Sequence, residues 1–151
     1  MITVTKIFTF EASHNLPHYE GACHNLHGHS YKLEVTVGGQ VETSISNPKC
    51  GMILDFKDLK KIVNEVAVDK YDHAYLNDFF ENPTAEIMVK QIAVDIIAKL
   101  PKDKHLVSCK LWETATSYAE FNPLQDSMLD RLYELERLLK YADNPTLRPA
   151  T

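Results

Sequence analysis

No apolar run in this 151-residue chain approaches the ~20 residues needed to span a bilayer. Basic residues are outnumbered, with 16 Lys and Arg against 21 Asp and Glu. The formal net charge of −5 therefore leaves no basic stripe of the kind that a general nucleic-acid binder uses to neutralise phosphates. A small anionic substrate held by a local group of lysines stays compatible with that charge. Cysteine is scarce. Cys23, Cys50 and Cys109 are odd in number and without framework spacing, which excludes a disulfide scaffold. The opening Met-Ile-Thr-Val-Thr-Lys lacks the anatomy of a secretory signal, so reduced thiols and a cytoplasmic location are expected. Internal repeats and low-complexity segments are missing too.

What is present is ordinary in bulk and unusual in one place. Hydrophobic residues make up 44% and charged residues 25%, as in a soluble globular chain long enough to bury a real core. The unusual place is Cys23-His24-Asn25-Leu26-His27-Gly28-His29, with His14 thirteen residues before His27.

Even positions from Ile2 read Ile2, Val4, Lys6, Phe8, Phe10, Ala12 and His14, a period-two strand whose apolar face ends in a histidine. Odd positions of the next strand read His27, His29, Tyr31, Leu33, Val35 and Val37, against polar Ser30, Lys32, Glu34 and Thr36. Paired antiparallel through the loop 15–26, the two strands would bring His14, His27 and His29 together at one end of the buried face. A slip of one residue would send the His27–His29 pair to the opposite face, so the pattern specifies the register. Gly38-Gly39 and the Ser, Asn and Pro residues near 43–48 end the hairpin.

A helix is expected over 55–68, capped by Asp55, with Leu59, Ile62, Val63 and Val66 on one face. A second is expected from Thr84 to Leu100, between Asn82-Pro83 and Pro101, with Val89, Ile92, Ala93 and Ile96 as its stripe. Two short strands follow. Val107, Cys109, Leu111 and Glu113 share a face of the first, and the second covers about Tyr118 to Phe121. A last amphipathic helix over Ser127–Tyr141 carries Met128, Leu132, Leu135 and Leu139, and a loose tail starts at Asn144. The order β-β-α-α-β-β-α predicts an α+β fold: an antiparallel four-stranded sheet with two helices on one face, plus the C-terminal helix.

Three imidazoles from two strands suit zinc with a fourth position open, as in a catalytic site. His18 and His24 fit no strand register and are read as non-ligands. Cys23 beside such a cation could act as base or nucleophile, or equally be a small buried hydrophobe. Cys50 and Cys109 are read as such hydrophobes. In Asp72-His73 an aspartate could orient an imidazole, but neighbours on regular backbone seldom face each other, and a surface turn has equal standing. Glu113 reads either as a buried carboxylate that would accept paired N–H donors or as an ordinary strand-end charge.

Six dispersed segments together resemble the 6-pyruvoyltetrahydropterin synthase family. They are Phe10-Glu11-Ala12-Ser13-His14, the Cys23–His29 motif, Gly51-Met52-Ile53-Leu54-Asp55-Phe56, Asp72-His73 with Leu76-Asn77, Asn82-Pro83-Thr84-Ala85-Glu86, and Trp112-Glu113-Thr114. They occur in the family's order and are most similar to its bacterial carboxy-forming branch, which serves queuosine and other 7-deazaguanines. The resemblance implies zinc on His14, His27 and His29, a catalytic set of Cys23, Asp72 and His73, and pterin binding by Glu113 and Thr84. It also implies the tunnelling fold, 7,8-dihydroneopterin triphosphate as substrate, and homo-oligomers, commonly hexamers built from two trimers with sites at subunit interfaces. The chain departs from the family pattern at Tyr71, often leucine, and at Trp112, where the residue varies. The expected organisation is a synthase domain over 1–122 and a helical extension over 123–151. That last helix would pack on a neighbouring subunit or fold back on its own sheet.

Overall fold

A computed structural model describes residues 2–128. Met1–Phe121 forms one compact unit, and a second begins at Asn122. Residues 123–128 are helical, starting earlier than the expected Ser127; the remainder of the predicted last helix and the tail lie outside the described residues.

Strands β1 (Thr3–His14) and β2 (His27–Gly39) form the long hairpin that the alternation predicts. Their antiparallel register pairs His14 with His27 and Ala12 with His29. Strand β4 (Lys104–Thr114) joins the far side of β2, and β5 (Ser117–Phe121) joins β4. The sheet has five strands rather than the expected four, in the order β3-β1-β2-β4-β5. The addition is β3, Ala74–Tyr75, which runs parallel to β1. Two residues are too few to show a period, so no alternation marks it.

Helix α1 (Phe56–Val63) starts where predicted, with Asp55 accepting the Lys57 N–H at 2.8 Å. The helical run does not stop at 68. The chain passes through a turn of π-helix, Asn64–Val68, into the short α2, Asp69–Tyr71. Helix α3 (Ala85–Lys99) is capped by Thr84 and is followed by Pro101.

The core lies between the helices and one sheet face. Phe8, Phe10 and Ala12 of β1 and Tyr31, Leu33, Val35 and Val37 of β2 pack with Leu59, Val63, Met88, Ile92 and Ile96. Each such buried aliphatic or aromatic side chain stabilises the fold by roughly 1.5–3 kcal/mol. In β4 the predicted face needs correction. Thr36 pairs with Ser108 and Val37 with Leu106, so Val107 is an inserted, bulged residue. The insertion inverts the alternation, and Leu106 enters the core in place of Val107. Cys109 is buried as expected, whereas Cys50 is exposed.

Candidate functional site

The core face of the hairpin ends in imidazoles. His14 is fully buried, and one ligating nitrogen each of His14, His27 and His29 lies within 4.8 Å of the others. Between His27 and His29, Gly28 keeps the strands close, since a Cβ there would meet the Ala12 carbonyl oxygen at 3.2 Å.

Backbone carbonyls decide which nitrogens face the centre. His14 Nδ1 lies 2.9 Å from the Pro83 oxygen, and His27 Nδ1 lies 2.7 Å from the Asn25 oxygen. A carbonyl only accepts, so both Nδ1 atoms carry the proton and donate. In the neutral rings both Nε2 atoms are then lone pairs, yet they stand 3.0 Å apart. Two lone pairs at that distance repel unless a proton or a metal ion lies between them. Tetrahedral zinc with Zn–N bonds of about 2.0–2.1 Å would place neighbouring nitrogens about 3.3 Å apart. His29 Nε2 is buried without an aligned hydrogen bond, as suits a nitrogen that ligates a metal. The residues present therefore fit a metal ion, and the carbonyl partners fix the ring orientations as outer contacts of metal-bound histidines do.

Glu113, half-buried at the end of β4, finds its partners here. Its Oε1 lies 3.2 Å from Nε2 of both His14 and His29. Burial pulls the His14 pKa down, but the Glu113 hydrogen bond and charge and the Pro83 contact outweigh it and raise the value. His29 is lowered, chiefly by burial, with Glu113 opposing and the two other histidines adding to the fall. The His14 hydrogen bond holds Glu113 below the usual carboxylate range against the effect of burial. On its other side Glu113 borders a groove of about 120 Å³ with Glu86 and Tyr118. Tyr31 is the floor of the cluster, fully buried with its ring edge-on to His14 and His29.

The other expected site residues belong to separate elements. Cys23 sits half-buried in a 3₁₀ turn, Ala22–His24, of the loop between the two histidine strands. Its carbonyl accepts the Leu16 N–H at 2.8 Å, and its thiol is not one of the three clustered ligands. His18 and His24 are exposed. The Thr84 hydroxyl is engaged in capping α3, accepting the Ile87 N–H at 3.4 Å.

Asp72 and His73 do face each other, with His73 Nδ1 3.0 Å from Asp72 Oδ2. Their backbone is not regular: His73 has φ of 58°, in the left-handed region that few non-glycine residues enter. Two bonds to Glu11 hold this bend. The Glu11 N–H donates to Asp72 Oδ1 at 2.9 Å, and the His73 N–H donates to the Glu11 carbonyl at 2.5 Å. The Glu11 contact, then His73, keeps the Asp72 pKa below its ordinary value. His73 is 80% exposed and borders a cleft of about 360 Å³ with Glu11, Ser13 and Ser30. Glu11, Ser13 and Ser30 alternate with Ala12, His14 and His29 along the strands, and His29 also lines this cleft.

Sequence reasoning did not find the carbonyls of Pro83 and Asn25, because a backbone oxygen leaves no mark in residue type. Tyr31 was visible only as the next member of the His27–His29 row.

The family model described as 6-pyruvoyl tetrahydropterin synthase matches residues 3–123. A Haemophilus influenzae protein named 6-carboxy-5,6,7,8-tetrahydropterin synthase is 35% identical over 141 residues, covering 80% of this chain and 99% of its own length. A Synechocystis protein of the same name is 39% identical over 125 residues, covering 80% and 93%. Among solved structures, 6-pyruvoyl tetrahydropterin synthase of Caenorhabditis elegans superposes with a TM-score of 0.68 at 26% identity, over 80% of this chain and 94% of its own.

Proposed function

This chain belongs to the 6-pyruvoyl tetrahydropterin synthase family, and we propose that it is a zinc-dependent 6-carboxy-5,6,7,8-tetrahydropterin synthase. The substrate would be 7,8-dihydroneopterin triphosphate, converted with water to 6-carboxytetrahydropterin, acetaldehyde and triphosphate, and the product would feed queuosine or a related 7-deazaguanine. The observation that carries the reading is the convergence of three imidazoles whose ligating nitrogens could share one metal ion. The shared name of the Haemophilus and Synechocystis relatives supports the choice of branch.

Bound to His14, His27 and His29, zinc would supply Lewis-acid polarisation of the substrate's side-chain hydroxyls, acidifying the neighbouring C–H bonds. Cys23, from the loop beside the cluster, would take or return a proton on one side of that side chain. His73, oriented by Asp72, would do so on the other. With the histidine nitrogens committed to a metal, the Glu113 carboxylate would be free to accept N–H donors of the pterin. Thr84 would adjoin the same pterin from the start of α3.

A site shared between copies, in a homo-oligomer such as a hexamer of two trimers, belongs to the same proposal. The proposed partners otherwise are small molecules, with neither nucleic acid nor membrane. Among the described residues no helix is long and apolar enough to cross a membrane, and the proposed location is the cytoplasm. The proposed synthase domain covers 1–122, with 123–151 as an extension.

The deciding experiment incubates zinc-loaded protein with 7,8-dihydroneopterin triphosphate and measures acetaldehyde and the pterin product. Acetaldehyde with the carboxy product is expected. A pyruvoyl product without acetaldehyde would move the chain to the other branch, to which the Caenorhabditis enzyme belongs by name. Zinc binding without turnover would make it a pterin- or zinc-binding module.

A further inference from the structure

Strand β1 runs out at His14, whose pairing with His27 is the last rung to β2. On its other edge β3 supplies only two rungs, Ala12 with Ala74 and Ser13 with Tyr75. The chain then turns into a 3₁₀ helix, Leu76–Asp78, and the backbone of Asn15 would be left without a strand partner. The Asn77 side chain takes that place. Its Oδ1 accepts the Asn15 N–H at 3.0 Å, and its Nδ2 donates to the Asn15 carbonyl at 2.9 Å. A primary amide offers the same donor and acceptor as a peptide group, so Asn77 adds a rung to the ladder with a side chain. The Tyr75 hydroxyl also donates to the Asn15 side-chain oxygen at 2.5 Å.

The same short segment begins at Asp72 and His73, which are bound to Glu11. Residues 72–77 therefore grip β1 from Glu11 to Asn15, with His14 between the two ends of the grip. Pro83 holds the His14 ring at Nδ1, but a ring can point at a metal only if its own backbone is fixed. We infer that Asn77 is a positioning residue for the metal centre: by holding both peptide groups of Asn15 it sets the backbone that aims His14 at the ion. It also ties the metal-bearing end of β1 to the segment that carries Asp72 and His73. Few other side chains can do this. Aspartate lacks the Nδ2 donor and would set a second oxygen against the Asn15 carbonyl, glutamine is one methylene longer, and alanine leaves both groups of Asn15 open.

The inference rests on the metal reading of the three histidines, and its test reads metal binding rather than turnover. Zinc affinity of the metal-free full chain is measured by competition with a chromophoric chelator, alongside thermal unfolding of the same samples. Asn77→Ala should weaken zinc binding on the order of 10-fold, as loss of an outer contact of a metal ligand does. Asn77→Asp should weaken it in the same direction. Tyr75→Phe, which removes only the bond to the Asn15 side chain, should bind as wild type. Val63→Ala, a core substitution in α1, serves as the control for general loosening of the fold. It should lower the unfolding temperature while leaving zinc affinity unchanged. Wild-type affinity in both Asn77 variants, or an equal loss in Val63→Ala, would overturn the inference alone. A wild-type chain that binds no zinc would overturn the metal reading and this inference with it.

Discussion

His73 turns back on Asp72, its immediate neighbour, and brings Nδ1 to 3.0 Å from the carboxylate through a φ of 58°. The pair can thus act as one unit at a position where regular backbone would have pointed the two side chains apart. Asp72→Asn keeps an oxygen for the Glu11 N–H but removes the charge behind the imidazole. Turnover should fall on the order of 10²–10⁴-fold, the usual range for a lost general acid–base contribution. Zinc content, measured by atomic absorption, should stay at the wild-type level. Undiminished turnover would remove the dyad from the mechanism.

The ligand set should separate cleanly from its sequence neighbours. His29→Ala should lose most bound zinc and most activity, because the remaining two imidazoles leave the ion under-coordinated. His24→Ala, an exposed residue of the same motif, should retain both. Equal loss in the two variants would mean that the loop, rather than the ligand, controls binding.

Thiol reactivity should follow burial. Burial pushes the Cys109 pKa up to about 12, so on the order of one molecule in 10⁴ is thiolate at pH 8. Alkylation followed by mass spectrometry should label exposed Cys50 first and spare Cys109 until the protein unfolds. The sign for stability follows. The Cys109 pKa is higher folded than unfolded, so the contribution is complete below the ordinary thiol value near 9 and is lost as pH rises toward about 12. Early labelling of Cys109 at pH 8 would contradict its burial.

Two helix caps should behave differently. Asp55→Ala and Thr84→Ala each remove a side chain that accepts a first-turn N–H, and each should cost about 1 kcal/mol of stability. Chemical denaturation measures that loss. Only Thr84→Ala should also raise KM for the pterin substrate, because Asp55 caps α1, away from the histidine cluster. A matching rise in Asp55→Ala would mean that KM follows stability instead of contact.

The hairpin was legible in advance because burial on one face imposes a strict period of two, and its polar exceptions, His14, His27 and His29, stand in phase with the core. What stayed hidden breaks that period or falls below it. Val107 inserts a residue into β4 and inverts the face that alternation predicts. Strand β3 is two residues long. Asp72 and His73 meet through a positive φ, which residue type alone seldom signals. The Pro83 carbonyl that orients His14 belongs to the peptide backbone, so any residue there carries the same group.

The turn of π-helix between Asn64 and Val68 limits how this chain can change length. A π turn closes on i→i+5 bonds and an α turn on i→i+4, so these five residues cover about the arc of four α-helical ones. Deleting one residue inside the turn would restore regular helix and leave Tyr71 and Asp72 close to their present headings. The turn holds slack, as a belt does before its tensioner. A residue lost after Val68 finds no such slack: it would turn Asp72 by about 100°, away from the Glu11 N–H. Single-residue deletions should therefore be tolerated within Asn64–Val68 and not between it and Asp72.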